Sequence, residues 1–146
     1  MTREELLDKL NELIHLDIDA IHAYDQAIKN VREQLIKDKL ILFKSDHGRH
    51  VAELSAKVRE LGGVPPELTS DFKGYFITGF TALRSLTGTK GALGAMETNE
   101  KLTTSKYEEA EKWDCPADIA MLLQANLVDE RRHLAFVREK LKLFRV

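Results

Sequence analysis

Apolar residues recur at three- and four-residue spacing along most of this chain, the pattern of helices with one buried face. Leu6, Leu10, Leu13, Ile14, Ile21 and Ile28 predict a first amphipathic helix over 4–30. Leu35 or Ile36, Leu40, Phe43, Leu54, Val58 and Leu61 predict a second over 34–61. Gly62-Gly63-Val64-Pro65-Pro66 ends it, with glycine just past the last turn and proline beyond. Phe72, Tyr75, Phe76, Phe80, Leu83 and Leu86 predict a short aromatic helix at 72–86, closed by Thr87-Gly88-Thr89-Lys90-Gly91. A third long helix over 91–112 carries Leu93, Met96 and Tyr107 on its inner stripe. Asp114-Cys115-Pro116 breaks it, and Pro116 suits the first position of a fourth helix over 116–143. The chain reads as all-α: two helical hairpins joined by a long connection. A connection of that length can cross a bundle, whereas a short loop sets the next helix antiparallel beside the last.

The same stripes also carry acids and histidines, the residue types least often buried without a partner. Asp17 and Tyr24, then Asp46, His47, Arg49 and His50, are answered 83 positions later by Glu100 and Tyr107, then Asp129, Glu130, Arg132 and His133. Leu10, Ala27, Lys29, Ile36, Leu40, Ala52 and Lys57 recur identically at Leu93, Ala110, Lys112, Ile119, Leu123, Ala135 and Lys140. A repeat normally reuses core positions, because each unit must bury its apolar face against the other. Here the polar positions repeat as well, and they point to a bound cation.

Each hairpin, folded at its midpoint, sets the acid of its outgoing helix opposite the pair on its returning helix. The midpoint falls near residue 33 in the first hairpin and at Cys115-Pro116 in the second. Two hairpins related by a pseudo-twofold axis then place Asp17, His47, His50, Glu100, Glu130 and His133 in one layer. Residues three apart share a helix face, so His47 with His50, and Glu130 with His133, can each address one centre.

Composition narrows the rest. At 146 residues the chain suits one domain over 1–146. With 22 basic and 24 acidic residues it has no basic stripe, which argues against nucleic acid as a partner. The single cysteine, Cys115, excludes an intrachain disulfide and fits a reducing compartment. The first residues lack the apolar core of a secretory signal, and no apolar run is long enough to span a membrane, so a cytoplasmic location is expected.

Leu16-Asp-Ile-Asp-Ala-Ile-His-Ala-Tyr24, Ser45-Asp-His-Gly-Arg-His50, Met96-Glu-Thr-Asn-Glu100 with Tyr107, and Asp129-Glu-Arg-Arg-His133 resemble the ferritin-like superfamily over nearly the whole chain. The likeness is greatest to its rubrerythrin-like branch and to small bacterial ferritin-like proteins. Di-iron bundles of this kind take a Glu from two helices and Glu-x-x-His from the other two. The resemblance implies a four-helix bundle and a non-haem centre with two iron ions, zinc or manganese being alternatives. It implies oxidase- or peroxidase-type chemistry on O₂ or peroxide, in oxidative stress or iron handling. By that similarity Glu100 is a ligand, Glu130 a bridging carboxylate and His133 a terminal nitrogen ligand. Glu97 resembles the extra glutamate of rubrerythrins, and Asp17, His47 and His50 complete the metal set. Tyr24 and Tyr107, two turns past the acids, are the catalytic candidates, although both also suit the core with their hydroxyls satisfied. There is no Cys-x-x-Cys rubredoxin module, so electrons must come from a separate donor. The short aromatic helix suits a bundle cover or a homodimer or higher homo-oligomer contact.

The first half departs from the family pattern twice. Asp17 stands where glutamate is usual, and His47 stands where the bridging glutamate would be. Imidazole-rich sites take zinc, copper, iron or nickel, so a mixed, asymmetric or single-metal centre stays open. So does a non-catalytic four-helix scaffold. Asp46 and Asp129 are expected to orient the histidines of the opposite hairpin, Asp46 with His133 and Asp129 with His50, with Arg49 and Arg132 balancing their charge. His15 and His22 lie one face round from the acids and are expected at the surface.

Overall fold

The computed structural model describes residues 1–68 and 88–144. Four long helices account for nearly all of them: α1 (Arg3–Asn30), α2 (Gln34–Glu60), α3 (Gly88–Ala110) and α4 (Ala117–Lys142). Local chemistry sets their ends. Thr2 and Glu5 form a reciprocal capping box at the start of α1, with Glu5 N–H donating to Thr2 Oγ1 at 3.1 Å and Thr2 N–H to Glu5 Oε2 at 3.0 Å. At the end of α2 the chain turns through Gly62 at φ +82°, where a side chain would be strained and its Cβ would meet Arg3 Nη2 at 2.7 Å. Arg3 Nε donates to Leu61 O at 2.6 Å and so satisfies a carbonyl that the helix leaves open.

Two boundaries differ from the sequence expectation. α3 already includes Gly88 to Lys90, ahead of the expected start at 91, and there Thr89 is buried and tied to the α1–α2 turn. Thr89 Oγ1 accepts from Arg32 N–H at 2.9 Å and donates to Glu33 Oε1 at 2.5 Å. These contacts outweigh the poor helix propensity of Gly-Thr-Lys-Gly. Pro116 is the N-cap of α4 rather than its first residue, its carbonyl accepting from Ala120. The expected aromatic helix at 72–86 lies outside the described residues.

Thr89 meets the α1–α2 turn, at the far end of the bundle from Leu61 and Gly62. α3 therefore starts at the opposite end from where α2 finishes, which is the crossover topology expected of a ferritin-like bundle. α1 packs closely on α2 and α3, and α3 on α4, whereas the α2–α4 contact is the slightest of the four neighbouring pairs. Two apolar clusters fill the interior. One gathers Leu6, Leu10, Leu13, Leu54, Val58 and Leu123; the other gathers Ala27, Leu40, Phe43, Leu93, Met96 and Val137. Between them lies a wholly polar layer. Among the described residues no helix is long and apolar enough to cross a membrane.

Candidate metal centre

The polar layer is where the repeat meets itself. Asp17 from α1, His47 and His50 from α2, Glu100 from α3, and Glu130 and His133 from α4 are all fully buried. They form two overlapping groups, Asp17–His47–His50–Glu130 and His47–Glu100–Glu130–His133, each with ligand atoms within 4.8 Å of one another. The shared members, His47 and Glu130, are repeat mates. So are Asp17 and Glu100, and His50 and His133. The layer therefore has the pseudo-twofold arrangement expected from the hairpin midpoints.

Hydrogen bonds run between the hairpins. Tyr24 O–H donates to Glu100 Oε1, and Tyr107 O–H donates to Asp17 Oδ2 at 2.6 Å. Nε2 of His50 pairs with Asp129 at 2.9 Å, and Nε2 of His133 pairs with Asp46 at 2.8 Å. Arg49 bonds Asp129, and Arg132 donates to Asp46 at 2.8 Å and to Asp129 at 3.1 Å. These four charged residues stitch the loosely packed α2–α4 seam. Each aspartate engages Nε2, so Nδ1 of both histidines faces the interior, as the outer partners of ligating histidines normally arrange. His50 Nδ1 lies 3.1 Å from Asp17 and 3.2 Å from Glu130. His133 Nδ1 lies 3.5 Å from Glu100 and 3.6 Å from Glu130.

His47 sits in the middle. Its Nδ1 is 2.7 Å from Asp17 Oδ1 and its Nε2 is 3.1 Å from Glu100 Oε1. Burial alone would lower its pKa, but the Glu100 charge and the hydrogen bonds to Asp17 and Glu100 push it up to about 10. Burial likewise opposes ionisation of Glu100, yet the His47 charge holds it well below the usual carboxylate range. Glu130 goes the other way: burial first, then the Glu100 charge, raise it well above that range. Without a cation the surroundings therefore favour the charged form of His47 and the neutral form of Glu130. Asp129 is held low by His50, Arg49 and Arg132, which outweigh its burial. Burial and the neighbouring carboxylates keep both tyrosines well above the phenol range, so they remain hydrogen-bond donors.

Other residues fall where the sequence did not put them. Glu97 is half-buried outside both ligand groups, 3.5 Å from Arg138 Nε. His15 and His22 are half-buried rather than on the surface, because α1 is covered on two sides by α2 and α3. Asn126 belongs to the polar layer although the sequence reading passed over it. It is buried and its Nδ2 donates to Tyr107 Oη at 3.3 Å. The available signal was an amide on the apolar stripe between Leu123 and Glu130. Its repeat mate Phe43 stacks on His133, with ring centres 4.3 Å apart.

The donor set fits a transition-metal cation. It offers imidazole nitrogens and carboxylate oxygens, and it leaves Glu100 Oε2, both oxygens of Glu130 and His133 Nδ1 buried with no hydrogen-bond partner. Each such atom costs about 1–3 kcal/mol when nothing replaces its lost water. A cation bound among them satisfies all four.

Comparison with known proteins agrees with the fold. A family model described as "Domain of unknown function (DUF2383)" matches residues 5–112. A crystal structure of a ferritin-like, diiron-carboxylate protein from Bacillus anthracis str. Ames superposes with a TM-score of 0.74 at 22% identity, covering 97% of this chain and 99% of that one. No curated protein matches the chain.

Proposed function

The chain belongs to the family described as Domain of unknown function (DUF2383), and from that premise and the buried layer we propose an iron-binding oxidase or peroxidase of the ferritin-like kind. The observation that carries the proposal is the set of four unpartnered donor atoms buried among three imidazoles and three carboxylates. The likeness to a diiron-carboxylate protein supports iron as the ion. Asp17, His47, His50, Glu100, Glu130 and His133 form the layer within which it would be held. Iron held there supplies redox chemistry toward O₂ or peroxide.

The chain's own residues do the rest. Asp46 and Asp129 fix the histidine tautomers so that Nδ1 faces inward, and Arg49 and Arg132 keep those aspartates ionised. Tyr24 and Tyr107 hold protons at the layer's two apolar edges, one against Glu100 and one against Asp17. Leu54, Leu123, Leu40 and Leu93 keep bulk water from the layer. A separate donor would supply the electrons.

Metal analysis of protein purified anaerobically from iron-supplemented cells tests this. About one equivalent or more of iron per chain is expected; far less than one equivalent of any transition metal would overturn it. A second reading, a non-catalytic four-helix binding protein, is favoured by His47, which already neutralises Asp17 and Glu100 without a metal. Iron-loaded protein that does not consume peroxide in the presence of a reductant would select that reading.

A further inference from the structure

The two ligand groups are not equally in need of an ion. In the Asp17 group the acid is already satisfied: Oδ1 is 2.7 Å from His47 Nδ1 and 3.1 Å from His50 Nδ1, and Oδ2 accepts from Tyr107 at 2.6 Å. His50 uses its other nitrogen on Asp129. Among the described ligand-type atoms of the layer, those without a hydrogen-bond partner are Glu100 Oε2, His133 Nδ1 and the two oxygens of Glu130. All four belong to residues of the second hairpin; Glu100 and His133 serve one group only, whereas Glu130 is shared and its Oε1 also lies 3.2 Å from His50 Nδ1.

His47 explains the imbalance. A glutamate at this position would offer one oxygen to each group. A neutral imidazole carries one N–H and one lone pair, so it can ligate on one side only and must donate on the other. Its shorter contact is to Asp17, which keeps the proton on Nδ1 and leaves Nε2, 3.1 Å from Glu100 Oε1, as the nitrogen free to ligate once it loses its own proton. This is the arrangement in which a carboxylate orients a ligating imidazole.

We propose that the centre holds a single transition-metal cation, bound by Glu100, Glu130, His133 and His47 Nε2, with Asp17 as a positioning residue that orients His47 and does not ligate. The proposal rests on the reading of this layer as a metal centre and assigns which half of it binds. Two nitrogens and two carboxylates around one ion suit a borderline divalent cation such as Fe²⁺, Zn²⁺ or Co²⁺. On binding, the ion displaces the proton from His47 Nε2, while Asp17 keeps its bond to Nδ1 and Tyr107 keeps its bond to Asp17.

Cobalt(II) titration of the metal-free full chain, followed by its visible absorption and by equilibrium dialysis, tests this. One ion per chain is expected. His133→Ala should abolish the spectrum, whereas His50→Ala should keep one ion and the wild-type band positions. Asp17→Ala should keep the stoichiometry and band positions but weaken binding roughly 10–100-fold, with Asp17→Asn restoring most of that loss because its amide oxygen still accepts from Nδ1. His47→Glu should raise the capacity to two ions by returning a donor to each side. Two ions of similar affinity in the wild type, or loss of the spectrum in His50→Ala alone, would overturn the single-ion assignment and leave the metal centre standing. Failure of the wild type to bind cobalt, zinc or ferrous ion at all would remove the metal centre itself, and the assignment with it. The wild-type stoichiometry needs no variant to fold, and circular dichroism checks each variant that is used.

Discussion

Replacing Glu130 by glutamine separates what the buried layer costs from what it does. In the metal-free protein Glu130 is protonated, because burial and the adjacent Glu100 charge raise its pKa well above the carboxylate range. Glutamine is close in shape to a protonated glutamate. It also brings two N–H donors to a place where Glu100 Oε2 lacks a partner. One satisfied buried acceptor is worth about 1–3 kcal/mol. At about 2–4 °C per kcal/mol for a chain near this size, the metal-free variant should melt within a few degrees of wild type or above it. The loaded protein should behave in the opposite way. With free ion a thousandfold above Kd, binding stabilises the wild type by about 4 kcal/mol, which raises its Tm by about 8–16 °C. The variant loses a charged ligand, and that rise should collapse to a degree or two. Differential scanning calorimetry with and without iron(II) or zinc reads both quantities. A metal-free variant less stable by more than about 2 kcal/mol, or one that keeps most of the metal-dependent rise, would refute the reasoning.

Three further outcomes follow from the same contacts. His47 has a folded pKa raised from 6.5 to about 10, so the stability it contributes to metal-free protein is complete below 6.5 and is lost as pH climbs through about 10. The urea midpoint should fall steadily between pH 7 and 10 and flatten in His47→Gln; a flat wild-type profile would contradict the assignment. Tyr107→Phe strands Asp17 Oδ2 and the Asn126 amide, and should cost about 1–3 kcal/mol in chemical denaturation, an effect absent if the hydroxyl is idle. Arg49 and Arg132 are 47% and 52% exposed, so converting each to alanine should change stability by less than about 1 kcal/mol. Metal affinity should nonetheless drop roughly 10–100-fold in the double variant, because Asp46 and Asp129 lose the partners that hold them against His133 and His50. Unchanged affinity by dialysis would show that the arginines do not act through the histidines.

Much of this architecture can be read from the residues because it rests on periodicity. Leu6 to Ile28 and Ile119 to Leu141 mark their helices within one or two residues, and the repeat alone implies the turn near Glu33, which carries no glycine. The opposing acids follow from the same arithmetic, and so do the Asp46–His133 and Asp129–His50 pairs. What spacing cannot give is the direction in which a side chain's second atom points. Nothing in a His-x-x-His pattern says that His47 turns one nitrogen to each acid, since both acids lie on other helices. Nor does the pattern show that Thr89 will reach back to Arg32 and Glu33 and extend α3 through Gly88. Asn126 is legible only as an oddity on an apolar stripe, and its partner is on another helix.

The bonds that cross between the hairpins also act as a key. Each tyrosine and each outer aspartate answers a group on the other half, so neither hairpin satisfies all of its own polar residues. Sliding one hairpin along the other by a single helical turn, about 5.4 Å, would break Tyr24–Glu100, Tyr107–Asp17, Asp46–His133 and Asp129–His50 together. The flanking leucines and alanines would tolerate such a slip far better, because one apolar ridge packs much like the next. The polar layer thus selects one alignment from several that the apolar surfaces would accept, and the two duplicated halves fold correctly only by completing each other.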